Sequence, residues 1–229
     1  MPETRSTDTA HHHWNETWAD AAGRADWLTP EPDVHDLLDL AEARGAATFL
    51  DLGCGVGRHA LLASARGLRV TGLDGAAEGL AQARLAADRA GLPLDLREGV
   101  MTELPFPDAS FDVVLAWNVI YHGDRPIVER AIAEIRRVLR PGGLYQGTML
   151  SKRNTDYGKG TEVAPDTFVL DGVSDKAHPH FYCNACELVA LFDGFELLSL
   201  RDVVHHRPGS WHWHMVAERA DTGGSRQPD

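Results

Sequence analysis

Cysteine is scarce: Cys54, Cys183 and Cys186 are the three in 229 residues. That number excludes a disulfide framework as the source of stability. The N-terminus is polar where a signal peptide would need an apolar run, so the expected compartment is the cytoplasm. Long hydrophobic runs are missing too. No stretch approaches the roughly 18 residues that a bilayer span requires, and no membrane partner is expected. Basic charge is the minority sign, 22 residues against 34 acidic ones, for a formal net charge of -12. Such a field repels a phosphate backbone, and the pairs Arg136-Arg137 and Lys152-Arg153 are too short to form a basic groove. Nucleic acid is therefore not an expected partner.

What is present fits one soluble α/β domain. Hydrophobic residues make up 43% and charged residues 24%, near the average for globular chains. Residues 33 to 44 carry apolar positions at helical spacing, and Gly45 stops the run. Segments 47 to 52, 69 to 74, 94 to 98, 111 to 117 and 144 to 150 read as strands, alternating with helices over about 57 to 66, 77 to 90 and 126 to 139. This repetition implies parallel pairing with right-handed crossovers. Phe111 to Trp117 is apolar almost without interruption, as a strand buried on both faces should be. Residues from 151 to about 182 show no period and hold several glycines and prolines, which predicts a loop or lid. A helix over about 184 to 193 and two strands, 195 to 204 and 211 to 218, close the chain, the short connection between the strands predicting an antiparallel pair. The expected organisation is an N-terminal cap over 1–30, a domain over 31–219 with a lid-like insertion at about 151–183, and a disordered tail over 220–229.

The chemistry-bearing feature is Asp51-Leu52-Gly53-Cys54-Gly55-Val56-Gly57, a glycine-rich turn between a strand and a helix. Gly53, Gly55 and Gly57 remove side chains where a ligand would approach the backbone, although such a turn can also serve packing alone. Asp74 ends the next strand, 21 residues beyond Gly53, where a carboxylate can accept both hydroxyls of a ribose. A dinucleotide fingerprint wants a third glycine at 58. Arginine stands there, which weakens a pyrophosphate reading and makes a nucleotide-linked oxidoreductase the second choice.

Four segments in order, 51 to 58, 70 to 74, 104 to 114 (Leu-Pro-Phe-Pro-Asp-Ala-Ser-Phe-Asp-Val-Val) and 139 to 143 (Leu-Arg-Pro-Gly-Gly), resemble the successive motifs of class I S-adenosylmethionine-dependent methyltransferases. The resemblance covers roughly residues 45 to 150. It implies a doubly wound seven-stranded, mostly parallel sheet of order 3-2-1-4-5-7-6 with strand 7 antiparallel. It also implies S-adenosylmethionine as cofactor and methyl transfer as the reaction. Asp51 and the backbone at Gly53 would hold the methionine part, Asp74 the ribose, and Val100 and Met101 the adenine, with Trp117 at the carboxyl edge beside them. The family commonly has an acidic residue at the adenine position, and here the segment reads Gly99-Val100-Met101-Thr102. Tyr121 and His122 fall where the family often faces the transferred methyl group. His122 is read either as a general base with an ordinary pKa of about 6.5 or as a structural histidine. Cofactor binding without catalysis, in a regulatory protein, is the remaining alternative.

Twelve histidines are many for this length. They gather at 11 to 13, at His178 and His180, at His205-His206, and at His212 and His214. His178, His180, Cys183 and Cys186 are ligand types at short spacing, but no second paired unit accompanies them. A polar, aromatic substrate pocket is favoured over a metal, with His178, His180 and Tyr182 as its residues and no metal assigned. Trp14 and Trp18 are read as a cap over the cofactor or the acceptor, with the acceptor preferred, or as a helix packed on the sheet edge. The expected partner is a small-molecule acceptor.

Overall fold

The computed structural model describes residues 8–170, 172 and 176–220. The expected tail over 220–229 lies almost wholly outside them, as do the first residues of the expected cap. The chain opens with α1 (Ala10–Ala19), the short α2 (Ala21–Arg24) and a single 3-10 turn at Ala25–Trp27. α3 (Pro32–Ala43) leads into the first strand, β1 (Thr48–Leu52). Then come α4 (Arg58–Ala65), β2 (Arg69–Asp74), α5 (Ala77–Ala90), β3 (Asp95–Glu98), β4 (Phe111–Ala116), α6 (Arg125–Val138) and β5 (Leu139–Ser151).

The central strands are buried on both sides because their alternate residues meet different helix layers. Phe49, Val113 and Leu115 point to the layer that holds Val34, Leu37 and Leu38 of α3 and Ala60 and Ala63 of α4. Leu50, Val114 and Ala116 point the other way, onto Val128, Ala131, Ile132 and Ile135 of α6. Each fully buried aliphatic side chain contributes about 1.5 to 3 kcal/mol. Asp124 caps α6 by accepting from the Ile127 N–H at 3.2 Å, with proline in its first turn.

β9 (Phe195–Val204) and β10 (Trp211–Arg219) complete the sheet, β10 pairing antiparallel with both β5 and β9. The path β3-β2-β1-β4-β5-β10-β9 is the order 3-2-1-4-5-7-6 that the family resemblance implied, with its seventh strand antiparallel. The sheet nevertheless holds ten strands rather than seven. The extra three lie in the segment expected to be irregular: β6 (Thr161–Ala164), β7 (Thr167–Val169) and β8 (His180–Cys183). β8 runs parallel to the end of β5 through Leu150↔Tyr182 and Ser151↔Cys183, and antiparallel to β7. Strands of 3 or 4 residues are too short to display an alternation, so only their tertiary pairing reveals them. After β8, a capping box at Asn184 and Glu187 starts α7 (Ala185–Leu191). Among the described residues no helix is long and apolar enough to cross a membrane.

Candidate active site

The turn after β1 is pinned to the end of β2. The Gly53 and Cys54 N–H groups both donate to the Leu73 carbonyl, at 2.7 and 3.1 Å. Asp74 then closes the turn from the other side, accepting from Gly55 N–H on one oxygen and from Ala76 N–H on the other, each at 2.7 Å. Burial pushes the Asp74 carboxyl up, and the N–H groups of Ala76, Gly55 and Gly75 pull it back. Gly53 has φ +68° and leaves no room for a side chain, since a Cβ there would sit 2.3 Å from Val119 Cγ2. At Gly55 a Cβ would press on the Trp18 indole at 3.0 Å. Gly57 has a different duty from the one its motif suggested. It caps α4 in a left-handed conformation, and a Cβ there would strike Ala83 of α5 at 2.9 Å, so it permits helix packing and does not line the cavity.

The cavity over this turn is lined by Gly53, Gly55, Asp74, Val100, Met101, Trp117 and His122, together with Trp14 and Trp18 from α1. Asp51 is not among its walls. It lies behind the turn, 2% exposed, with Oδ2 lacking a hydrogen-bond partner, and burial raises its carboxyl to about 7. An orphaned carboxyl oxygen beneath a glycine cradle suits a ligand carrying positive charge near the turn. The cavity encloses about 110 Å³, less than the roughly 300 Å³ of an ordinary small-molecule site. The reason is α1. His11 lies against Gly75, and Trp18 lies on Gly55 and Gly79 and stacks on Trp14 at 5.0 Å. A ligand larger than this space would need the helix to shift. Trp18 therefore lies over the glycine turn, and of the two tryptophans only Trp14 also reaches the neighbouring cavity.

That second cavity is the larger, about 600 Å³, and five residues line both: Trp14, Trp27, Arg58, Asn118 and His122. Its remaining walls are mainly Tyr121, Lys176, His180, His205, His206 and His212. Topology explains the gathering. β9 runs toward the carboxyl edge of the sheet, the turn from His205 to Ser210 lies there, and antiparallel β10 starts from it. The sequence shows these histidines, but nothing in it says that they meet His122. Arg58 and Lys176 were not anticipated. Asn118 follows a central strand at the carboxyl edge where ligands bind in open α/β sheets, and it takes φ +59°, a left-handed conformation that asparagine tolerates better than most residues. Its amide donates to His205 Nε2 at 3.0 Å, and its oxygen accepts from Thr148 Oγ1 at 2.9 Å. His205 must then carry its proton on Nδ1, which reaches His214 Nε2 at 3.1 Å, while His214 Nδ1 donates to Asp33 at 2.9 Å.

His122 does not have the ordinary pKa that a general base would use. Burial depresses it well below 6.5, helped by His178 and Lys176, and so the ring is neutral and weakly basic. Burial likewise lowers His180, takes His178 and His212 to about 3, and takes His205 to about 2. His178 is buried against His122 and lines neither cavity. Tyr182 is displaced further from its expected place. It is fully buried between the rings of Tyr157 and Phe168, one step further along β8 on the face of His180, where the strand lies under the β6–β7 segment and no longer at the cavity. Cys183 is buried with its thiol against the Leu150 carbonyl, whereas Cys186 is exposed, so the two do not form a paired ligand unit.

A family model described as a methyltransferase domain matches residues 50–146. A sterol 24-C-methyltransferase of Gibberella zeae is 33% identical over 172 residues, covering 72% of this chain and 44% of that protein. A probable S-adenosylmethionine-dependent methyltransferase of Mycolicibacterium smegmatis is 34% identical over 172 residues, 72% of this chain and 58% of that one. The chain thus spans about half the length of the curated relatives it matches. Among solved structures, an S-adenosylmethionine-dependent methyltransferase of Methanosarcina mazei superposes with a TM-score of 0.69 at 22% identity, covering 84% of this chain and 99% of the other. A Burkholderia thailandensis 1,6-didemethyltoxoflavin-N1-methyltransferase, solved with S-adenosylhomocysteine, gives 0.66 at 20% identity, covering 93% and 88%. The fold is the nucleoside-binding α/β sheet of the methyltransferases. Residues 50–146 carry the methyltransferase-domain pattern on this fold.

Proposed function

We propose that this protein transfers the methyl group of S-adenosylmethionine to a small molecule held in the larger cavity. The observation that carries this reading is the shared wall. Trp14, Trp27, Arg58, Asn118 and His122 line both spaces, so an acceptor in one lies directly against a sulfonium in the other. Methyl transfer needs mainly in-line alignment, because the sulfonium is already a strong electrophile. Gly53 and Gly55 give the cofactor close approach to the backbone, Asp74 accepts from the ribose, and Val100 and Met101 flank the adenine. Tyr121, His122 and His180 position the acceptor. The depressed pKa of His122 supports an orienting role over the general-base reading of the two that its position allows. The sterol and toxoflavin enzymes above act on small molecules by name, in keeping with an acceptor of that size. The segment 151–183 and residues 1–30 enclose the acceptor as lid and cap.

The test is a titration of the full chain with S-adenosylhomocysteine, followed by calorimetry and tryptophan fluorescence. Binding is expected to change the emission of the Trp14, Trp18 and Trp27 cluster as α1 shifts. No heat and no fluorescence change in a folded sample would reject the reading.

A further inference from the structure

The buried histidines at the junction of the two cavities are arranged as metal ligands. His122, His178 and His180 each present a ring nitrogen within 4.8 Å of the others, and they are 6%, 5% and 1% exposed. The backbone brings them together in advance. His122 and His180 face each other across an isolated antiparallel bridge, and Gly123 N–H donates to the Pro179 carbonyl at 3.0 Å. His178 and His180 are two residues apart, a spacing that places both side chains on one face of an extended segment.

Hydrogen bonds fix which nitrogens are free. His122 Nε2 lies 2.9 Å from the Asn118 carbonyl, which only accepts, so Nε2 carries the proton and Nδ1 holds a lone pair. His180 Nδ1 lies 2.7 Å from the His178 carbonyl, which likewise leaves a lone pair on Nε2. A backbone carbonyl on the far nitrogen is the orienting partner that metal-bound histidines ordinarily have. His178 Nε2 is 2.8 Å from His122 Nδ1, and its own Nδ1 is buried with no hydrogen-bond partner. Moving the His178 proton from Nε2 to Nδ1 therefore breaks one hydrogen bond and frees a third lone pair toward the same point. Tetrahedral zinc holds imidazole nitrogens about 3.3 Å apart, which requires each ring to move by under about 1 Å.

We infer that His122, His178 and His180 form a three-histidine site for Zn²⁺ with its fourth position open to the acceptor cavity. Three protein ligands and one open position are the pattern of catalytic rather than structural zinc. The role of the ion rests on the methyl-transfer reading, although the site itself does not. Bound there, an acceptor thiol or hydroxyl loses its proton to solvent more readily. Its lone pair then forms the bond to the methyl carbon, while the carbon–sulfur bond breaks and its electrons pass to the sulfonium, leaving a neutral thioether. The second cluster of ligand types, Glu31, His205 and His206, is a weaker candidate because Glu31 is already paired with Arg58 at 3.0 Å.

The experiment uses the full chain purified without a nickel resin. Elemental analysis and Zn²⁺ calorimetry are expected to give about one ion per chain. Co²⁺ should show the visible bands of a tetrahedral nitrogen site without thiolate charge transfer. His178→Ala and His180→Gln should each weaken Zn²⁺ at least ~10-fold, since loss of an outer partner alone costs that much. His206→Ala and a His11→Ala, His12→Ala double variant should leave it unchanged. Absence of zinc binding in folded wild type, thiolate bands with Co²⁺, or zinc retained by both triad variants would overturn the site. If the triad variants do not fold, the Co²⁺ spectrum of the wild type decides. S-adenosylhomocysteine binding is measured on the same samples. Its presence without zinc removes only the metal, and zinc without it removes only the methyl-transfer reading.

Discussion

The glycine turn and the histidine wall meet at His122 but are made of different materials. Under the smaller cavity the floor is backbone, shaped by missing side chains and pinned by Asp74 and the Leu73 carbonyl at the end of the next strand. The wall of the larger cavity is mostly side chain, with Tyr121 and His122 following β4, His180 from β8, and His205 and His212 from the last strand pair. Backbone sites keep their shape because local conformation sets it. The histidine wall depends on long-range packing that excludes water, and that exclusion keeps its rings neutral.

The largest difference should appear in acid. His178, His205 and His212 have folded pKa values of about 3, 2 and 3, and His59, His122 and His180 are also held well below 6.5. Below pH 6.5 the unfolded chain binds protons at these rings and the folded chain does not, so stability falls as pH drops toward 3. Each ring steepens the fall by roughly 1.4 kcal/mol per pH unit. Asp51 works in the opposite sense between its unfolded value of 3.8 and about 7, as does the raised Asp74, but these are two groups against seven once His214 is counted. Urea titrations from pH 7 to pH 4 should show a steep loss of midpoint. A flat profile would mean that water reaches the wall.

The next largest effect belongs to the turn. Gly53→Ala combines left-handed strain with a clash against Val119 and should cost roughly 2 to 4 kcal/mol while abolishing S-adenosylhomocysteine binding. Gly67→Ala, also left-handed but with open space around it, should cost about 1 kcal/mol and leave binding intact. Equal losses in denaturation and calorimetry would show that strain alone matters, and that close approach at Gly53 does not.

The smallest effect separates two tyrosines. Tyr121→Phe removes the hydroxyl from a ring that lines the larger cavity and should raise acceptor KM about fivefold, near 1 kcal/mol. Tyr182→Phe, in the core, should leave KM unchanged. A shift in the second variant would return Tyr182 to the site from which its packing removes it.

The sequence makes the sheet and the cofactor turn readable because their signals are local. Glycines mark sharp turns, apolar runs mark buried strands, and Asp74 stands at a fixed distance from the turn it closes. Gly57 shows the limit of such reading, since the same residue type in the same motif serves a helix contact with Ala83 that only packing reveals. Short β6, β7 and β8 escape for a related reason, as 3 or 4 residues hold no period and their pairing partners lie elsewhere in the chain.

By itself, then, the sequence determined the α/β class, the nucleoside turn and the wealth of histidine. Tertiary structure alone decided which histidines meet. The turn after β9 carries His205, and antiparallel β10 His212, to the edge where β4 leaves His122, and β8 docks His180 against it. Burial then lowers their proton affinity, a property of the assembled surroundings that no spacing along the chain encodes.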